Sequence, residues 1–242
     1  MTDGLLLIHA FPLDASMWEP QTTGLGGVTA IAAPNLPGFG GAALYDRTLT
    51  MDAAADSVAE ALTREGIDRA VVCGLSLGGY VALSFWRRHR DRVAGFVFAN
   101  TRAIADDREG KEKRIALAQR LRTEGNVLVD NPPPLLSEGA SKELWDRVKG
   151  IIARQPAEAI AAASAGMAER PDSTGDLAGI DVPTLVITST GDTLIPPDAT
   201  KAMGEQIPSA RVEIIDGAGH LSNLEAPAEF NRLLEEHVTA VT

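Results

Sequence analysis

Directly after a β-branched run, the chain reads Gly74-Leu75-Ser76-Leu77-Gly78, followed by Gly79 and an apolar helical pattern. Glycine costs roughly 1 kcal/mol relative to alanine inside a helix, so this glycine density needs a geometric reason. A sharp strand–turn–helix elbow supplies one. Small residues at Gly74 and Gly78 let strand and helix approach closely, and the serine hydroxyl then projects into the crevice at the carboxyl edge of an open sheet. The bland alternative is a glycine-rich turn with a bystander serine, and the flanking strand and helix patterns argue against it.

A serine hydroxyl is a poor nucleophile without a base, and the base needs an orienting acid. Of the four histidines, His89 lies in a basic helix end and His237 in the last helix, and both read as surface residues. His9 ends the first strand. His220 stands in the glycine-rich loop "DGAGHLSNLE" after the last strand, where it can reach Ser76. "VITSTGDTLIPP" places Asp192 after the preceding strand, with Gly191 allowing the turn. Asn100 and Thr101, after the strand before that, offer no carboxylate. Asp216 is too near His220 along the loop to support the imidazole from behind. The order Ser76, Asp192, His220 is that of the serine–acid–histidine elbow class. An oxyanion formed on attack needs two backbone N–H donors. Leu77 is one. Phe11, in "HAFPLD" after the first strand, is the other, while His9 organises that loop. The one cysteine, Cys73, ends an apolar run and reads as buried; as a nucleophile it is worse placed than Ser76.

These residues need a sheet to hold them. Gly4–His9, Arg69–Cys73, Val93–Ala99 and Pro183–Thr188 read as buried parallel strands, and Val28–Ala33 and Arg211–Ile215 as shorter ones. Between them fall helices: a stripe from Met51 to Leu62 with Thr50 as N-cap, an apolar helix over Gly78–His89, and a C-terminal amphipathic helix carrying Phe230, Leu233, Leu234 and Val238. Such alternation predicts a doubly wound α/β sheet. Residues 102–173 break it with helices over Asp107–Glu124, Ser141–Gln155 and Pro156–Glu169 and the irregular "DNPPPLL". The expected organisation is a core of residues 1–101 and 174–242 with a helical cap, or lid, inserted over 102–173.

With 242 residues, 45% of them apolar and a formal net charge of −11, the chain can bury one sizeable core and repels phosphate backbones, so no nucleic-acid partner is expected. The basic run Arg87–Arg90 suits a helix carboxyl end better than an anion site. A lone cysteine forms no intrachain disulfide. No apolar stretch reaches the ~20 residues of a membrane span, and the amino terminus does not read as a signal peptide. The expectation is a cytoplasmic protein without a membrane partner. No cluster has metal-ligand spacing, and "GLSLGG" lacks the lysine of a phosphate loop, so neither metal nor cofactor is expected.

Five motifs, "HAFPLDASMW", "PNLPGFGG", "GLSLGGY", "STGDTLIPP" and "GAGHLSNLEAP", resemble in order those of the α/β-hydrolases, in particular bacterial carboxylesterases and 3-oxoadipate enol-lactonases. The resemblance implies Ser76 as nucleophile, His220 as base, Asp192 as its partner, and Phe11 and Leu77 as oxyanion donors. It departs at Ala10, where a glycine is usual, and at Asn35, where an aspartate is usual, which weakens a structural hydrogen bond there. It departs also in starting almost on the third strand of that fold, leaving about six strands. The expected activity is hydrolysis of small neutral carboxylic esters through an acyl-enzyme. Enol-lactone hydrolysis, cofactor-free perhydrolysis and a non-catalytic ligand receptor are the competing readings. Arg102, just past a strand leading into the cap, is the one basic residue placeable near the crevice mouth. The outer edge of Val28–Ala33 should be bare, inviting a homo-oligomeric contact or a covering segment such as Gly40–Leu49.

Overall fold

The computed structural model describes residues 3–241. Six strands, β1 (Asp3–Ile8), β2 (Ala30–Ala32), β3 (Arg69–Leu75), β4 (Val93–Ala99), β5 (Thr184–Ser189) and β6 (Ala210–Ile215), form one sheet in the order β2-β1-β3-β4-β5-β6, with every pair parallel. β4 and β5 are buried throughout and β3 in all but its first residue, as the run-on hydrophobic sequences of a sheet covered on both faces require. The register aligns Ile8 with Gly74, Gly74 with Phe98, and Phe98 with Val186. The carboxyl ends of the central strands therefore lie level, and the loops that follow them share one rim.

The helices are α1 (Glu19–Leu25), α2 (Met51–Arg64), α3 (Leu77–Arg88), α4 (Arg108–Glu124), α5 (Lys142–Arg154), α6 (Ala157–Glu169), α7 (Thr174–Leu177), α8 (Pro197–Gly204), α9 (Ser222–Glu225) and α10 (Pro227–Val241). Side-chain caps start several of them. Thr50 accepts from the Ala53 N–H, Asp107 from Gly110 and Ser141 from Leu144. The segment between β4 and β5 is helical, as its sequence suggests. α6, rich in alanine and buried along most of its length, packs against α4 and against the 36–50 loop, where the Leu49 N–H donates to Ala162 O at 3.0 Å. Its Gly166 lies so near Leu49 that a Cβ there would sit 1.7 Å from the Leu49 carbonyl oxygen.

Two expectations need correction. The edge strand is Ala30–Ala32, not Val28–Ala33, because the Val28 N–H closes the turn after α1 by donating to Leu25 O at 2.9 Å. No strand pairs with its outer side among the described residues. His237 is buried on α10 rather than at the surface, and burial lowers its imidazole pKa to about 4. The basic run at the end of α3 is a set of structural ion pairs: Arg88 meets Asp56, Arg87 meets Asp176, and Arg90 meets Asp181 while lying over the Trp86 ring. Among the described residues no helix is long and apolar enough to cross a membrane.

Candidate active site

Sheet order reverses between β1 and β3, and open sheets place ligands in the crevice outside that switch point. Ser76 stands there, between β3 and α3, with φ 56° and ψ −114°. A non-glycine residue in that region is strained and persists only where its surroundings hold it. They do so through both neighbouring strand ends. The Ser76 N–H donates to Ala99 O at 3.0 Å, and Ser76 O accepts from the Gly79 N–H at 2.9 Å and from the Thr101 hydroxyl at 2.8 Å. The glycines have their geometric reason. A Cβ on Gly74 would meet the Gly78 carbonyl oxygen at 2.2 Å, and one on Gly78 would meet that of Ile8 at 2.1 Å. α3 thus presses against the end of β1, which brings Leu77, at the start of α3, beside the loop that carries Phe11.

Asp192 and His220 come together as the sequence indicates. His220 Nδ1 lies 2.9 Å from Asp192 Oδ2, and both side chains are wholly buried. An ionised carboxylate only accepts, so Nδ1 carries a proton, and the tautomer this selects has Nε2 as its acceptor. His220 Nε2 is buried and has no protein partner among the described residues. The Asp192 carboxylate is saturated: Oδ1 accepts from the Leu194 and Ile195 N–H groups, each at 2.9 Å, and Oδ2 accepts also from Asn100 Nδ2 at 3.0 Å. Burial alone would raise its pKa; the His220 contact and these donors hold it below the usual carboxylate value.

Asn100 is the residue that sequence reasoning missed. It offers no carboxylate of its own, yet its amide binds one. At φ 45° it points across the strand ends to Asp192 and to Ser189 Oγ at 2.7 Å, and its Oδ1 accepts from Ser222 Oγ at 2.6 Å. A second unread group is Glu225. It accepts from the Gly219 N–H at 2.7 Å and from the N–H and hydroxyl of Ser137, fixing the His220 loop to the chain between α4 and α5. Asp216 is engaged elsewhere, by the Thr190 hydroxyl at 2.8 Å.

His9 organises the loop after β1 as expected. Its Nδ1 is 3.1 Å from Ala10 O and its Nε2 accepts from the Leu36 N–H at 3.0 Å, which requires a neutral ring. Full burial lowers its pKa to about 4. Asn35 makes up for the expected aspartate, its Oδ1 accepting from the Ala15 N–H at 2.8 Å and its Nδ2 donating to Gly40 O at 3.0 Å. Cys73 is buried, and burial pushes its thiol pKa far up, so it is no nucleophile at neutral pH.

A cavity of about 280 Å³ opens on Ser76. Phe11, Leu117, Leu128 and Met167 give it apolar walls, and Tyr80 and Arg102 give it a polar side, so Arg102 does face the crevice. Among the described residues, no group of three or more His, Cys, Asp or Glu is placed to hold a metal ion.

A model of the Alpha/beta hydrolase family matches residues 5–233. Among curated proteins, the chain is 29% identical to a pimeloyl-[acyl-carrier protein] methyl ester esterase of Aromatoleum aromaticum, over 97% of each chain. It is 26% identical to 3-oxoadipate enol-lactonase 1 of Acinetobacter baylyi, over 98% of this chain and 89% of that protein. Among solved structures, a thermophilic esterase from Thermogutta terrifontis with malate bound is 37% identical. It superposes with a TM-score of 0.95 over 100% of this chain and 90% of its own. An enol-lactonase from Burkholderia xenovorans is 25% identical with a TM-score of 0.89, over 99% and 92%.

Proposed function

Because the chain belongs to the alpha/beta hydrolase family, we propose that it cleaves carboxylic esters through an acyl-enzyme on Ser76. The observation that carries this reading is the strained Ser76 turn opening on a cavity, in a chain that also buries a His220–Asp192 pair with an unengaged Nε2. Ser76 Oγ attacks the ester carbonyl carbon, and His220 Nε2 takes the hydroxyl proton. Asp192 fixes the tautomer in which Nε2 can accept, and stabilises the imidazolium that results. The carbonyl oxygen becomes an oxyanion and accepts from the Leu77 and Phe11 N–H groups. Leu77 opens α3, so its N–H has no intrahelical acceptor and carries the positive end of the helix dipole. Collapse of the tetrahedral intermediate breaks the C–O bond, and the alcohol leaves with the proton from His220. Water then repeats the sequence on the acyl-enzyme and releases the acid.

The names of the relatives support esters as the substrate class, since a lactone is a cyclic ester and follows the same steps with its alcohol tethered. The helical segment over 102–173 acts in this reading as a cap that supplies most of the apolar wall. Treatment with a fluorophosphonate probe tests the assignment, with one adduct expected on Ser76 and none on Ser76→Ala. Steady turnover of a short-chain ester by purified Ser76→Ala would refute it.

A further inference from the structure

Among the described residues, two arginines and no carboxylate line the Ser76 cavity. Arg114, from α4, joins Arg102 there. Behind them stands a single acid, Asp106, its side chain only 3% exposed, which meets Arg102, Arg114 and Arg170 together. Arg102 Nη2 donates to Asp106 Oδ1 at 2.5 Å, Arg170 Nη1 lies 2.8 Å from Oδ2, and Arg114 Nε also donates to Oδ2. Burial opposes the charge on Asp106, but the Arg170 and Arg114 guanidinium groups hold its carboxyl well below the usual carboxylate range. One negative charge therefore faces three positive ones. Arg170 is buried, stacks over the Tyr80 ring at 4.1 Å and is also felt by the exposed Asp172. The surplus charge falls on Arg102 and Arg114, the two that reach the cavity.

Arg102 also hydrogen-bonds the Tyr80 side chain, and the other donors of the pair are poorly used. Arg102 Nε is buried with no protein partner among the described residues. Arg114 Nη1 has only the Met167 thioether at 3.3 Å, a weak acceptor. A guanidinium pair with spare donors, in a mostly apolar cavity, suits a planar carboxylate, which accepts two parallel N–H bonds from such a fork.

We propose that Arg102 and Arg114 form a carboxylate-binding subsite, so that the ester taken up beside Ser76 carries a free carboxylate on its far end; this rests on reading the cavity as the ester site. From sequence, neutral substrates are favoured by the net charge of −11 and by Arg102 as the one placeable cation. α4 supplies another, and at about 280 Å³ the cavity has the volume of about nine waters. A short chain that reaches Ser76 with its ester and the arginines with its carboxylate fits that volume.

The test compares two methyl esters of matched length, monomethyl glutarate and methyl pentanoate, by pH-stat at neutral pH. The expected result is a kcat/KM at least tenfold higher for monomethyl glutarate. That ratio should fall at least tenfold in Arg114→Gln, mainly through KM, and Arg102→Gln carries the same test if Arg114→Gln does not fold. Equal or better use of methyl pentanoate by the wild type, or a ratio unmoved in both variants, overturns the subsite. Calorimetry of glutarate with Ser76→Ala separates this inference from the proposed chemistry. Binding that is lost in Ser76→Ala/Arg114→Gln supports the subsite even if no ester is turned over, in which case the hydrolytic reading alone fails. Absence of glutarate binding to Ser76→Ala overturns the subsite whatever the turnover.

Discussion

Asp192 and Asp106 are both buried carboxylates at the carboxyl rim of the sheet, and they are stabilised in opposite ways. Asp192 is held by dipoles: one imidazole N–H, one amide and two backbone N–H groups. Asp106 is held by three full positive charges. The first arrangement leaves the carboxylate's charge uncancelled, so it can stabilise an imidazolium when one forms. The second over-cancels the charge and projects a positive field into the cavity. In the proposed reading one acid serves the reaction and the other shapes the surface on which a substrate rests.

The sharpest way to break that contrast is to neutralise each acid in turn. Asp192→Asn should lower kcat/KM by about four orders of magnitude, because the amide favours the wrong imidazole tautomer. Its melting temperature should change far less than that of Asp106→Asn. A loss in Asp192→Asn under tenfold would show that the carboxylate does not act through His220. Asp106→Asn leaves three guanidinium groups without their shared counter-ion, and breaking such a buried pair costs about 3 kcal/mol. A drop in melting temperature of roughly 6–12 °C by calorimetry is expected for a chain of this size, and an unchanged value would remove Asp106 from the structural account.

Asn100 sharpens the comparison at intermediate size. Asn100→Asp keeps the shape and tolerates the left-handed backbone, but sets a carboxylate against Asp192. A ten- to hundredfold fall in kcat is expected at alkaline pH, with KM little moved. Two facing carboxylates come to share a proton as pH falls, and the shared proton restores a donor to Asp192. The deficit relative to wild type should therefore narrow toward pH 6. A deficit constant across pH would mean that Asn100 acts only through packing.

The smallest effect is in the pH dependence of stability. The folded-state pKa of Asp106 is depressed, so its contribution is complete above the unfolded value of about 3.9 and is lost as pH falls below it. The gap in melting temperature between wild type and Asp106→Asn should be constant from pH 7 to 5 and shrink below pH 4. A gap that widened on acidification would contradict the sign of the shift. His9 and His237 act over a different window. Both are neutral when folded, with pKa values near 4, whereas the unfolded chain protonates near 6.5, so both proteins should lose stability together between pH 6.5 and 4.

What was legible in the sequence follows the range of the forces involved. The central strands, the cap at Thr50 and the Ser76 elbow depend on neighbours within a few residues, and they lie where the pattern puts them, whereas the short edge strand is clipped to Ala30–Ala32 by the turn after α1. His237 was readable too. It stands seven residues after Phe230 and belongs to the same buried stripe of α10, but its polar type outweighed its spacing. Arg114 was not readable. α4 is polar nearly all round, with only Ala118 and Leu121 buried, so its inward face is set by packing on α6 rather than by its own periodicity. Asn100 follows a strand at a position where an acid could stand, but its role depends on a left-handed backbone and on Asp192, 92 residues away, which no local pattern encodes.

Glu225 ties the His220 loop and Ser137 with one carboxylate, and the Leu221 N–H donates to Leu135 O at 2.9 Å. A side chain on Gly219 would fall 2.3 Å from the Ser137 nitrogen, so the two segments touch backbone to backbone. The stretch around Ser137 is a mechanical interlock, since lifting it would slacken the loop that carries His220. The tie leaves Leu117 of α4, Met167 of α6 and Leu194, on the cavity wall, as the side of the Ser76 cavity that could yield to a substrate without disturbing that loop.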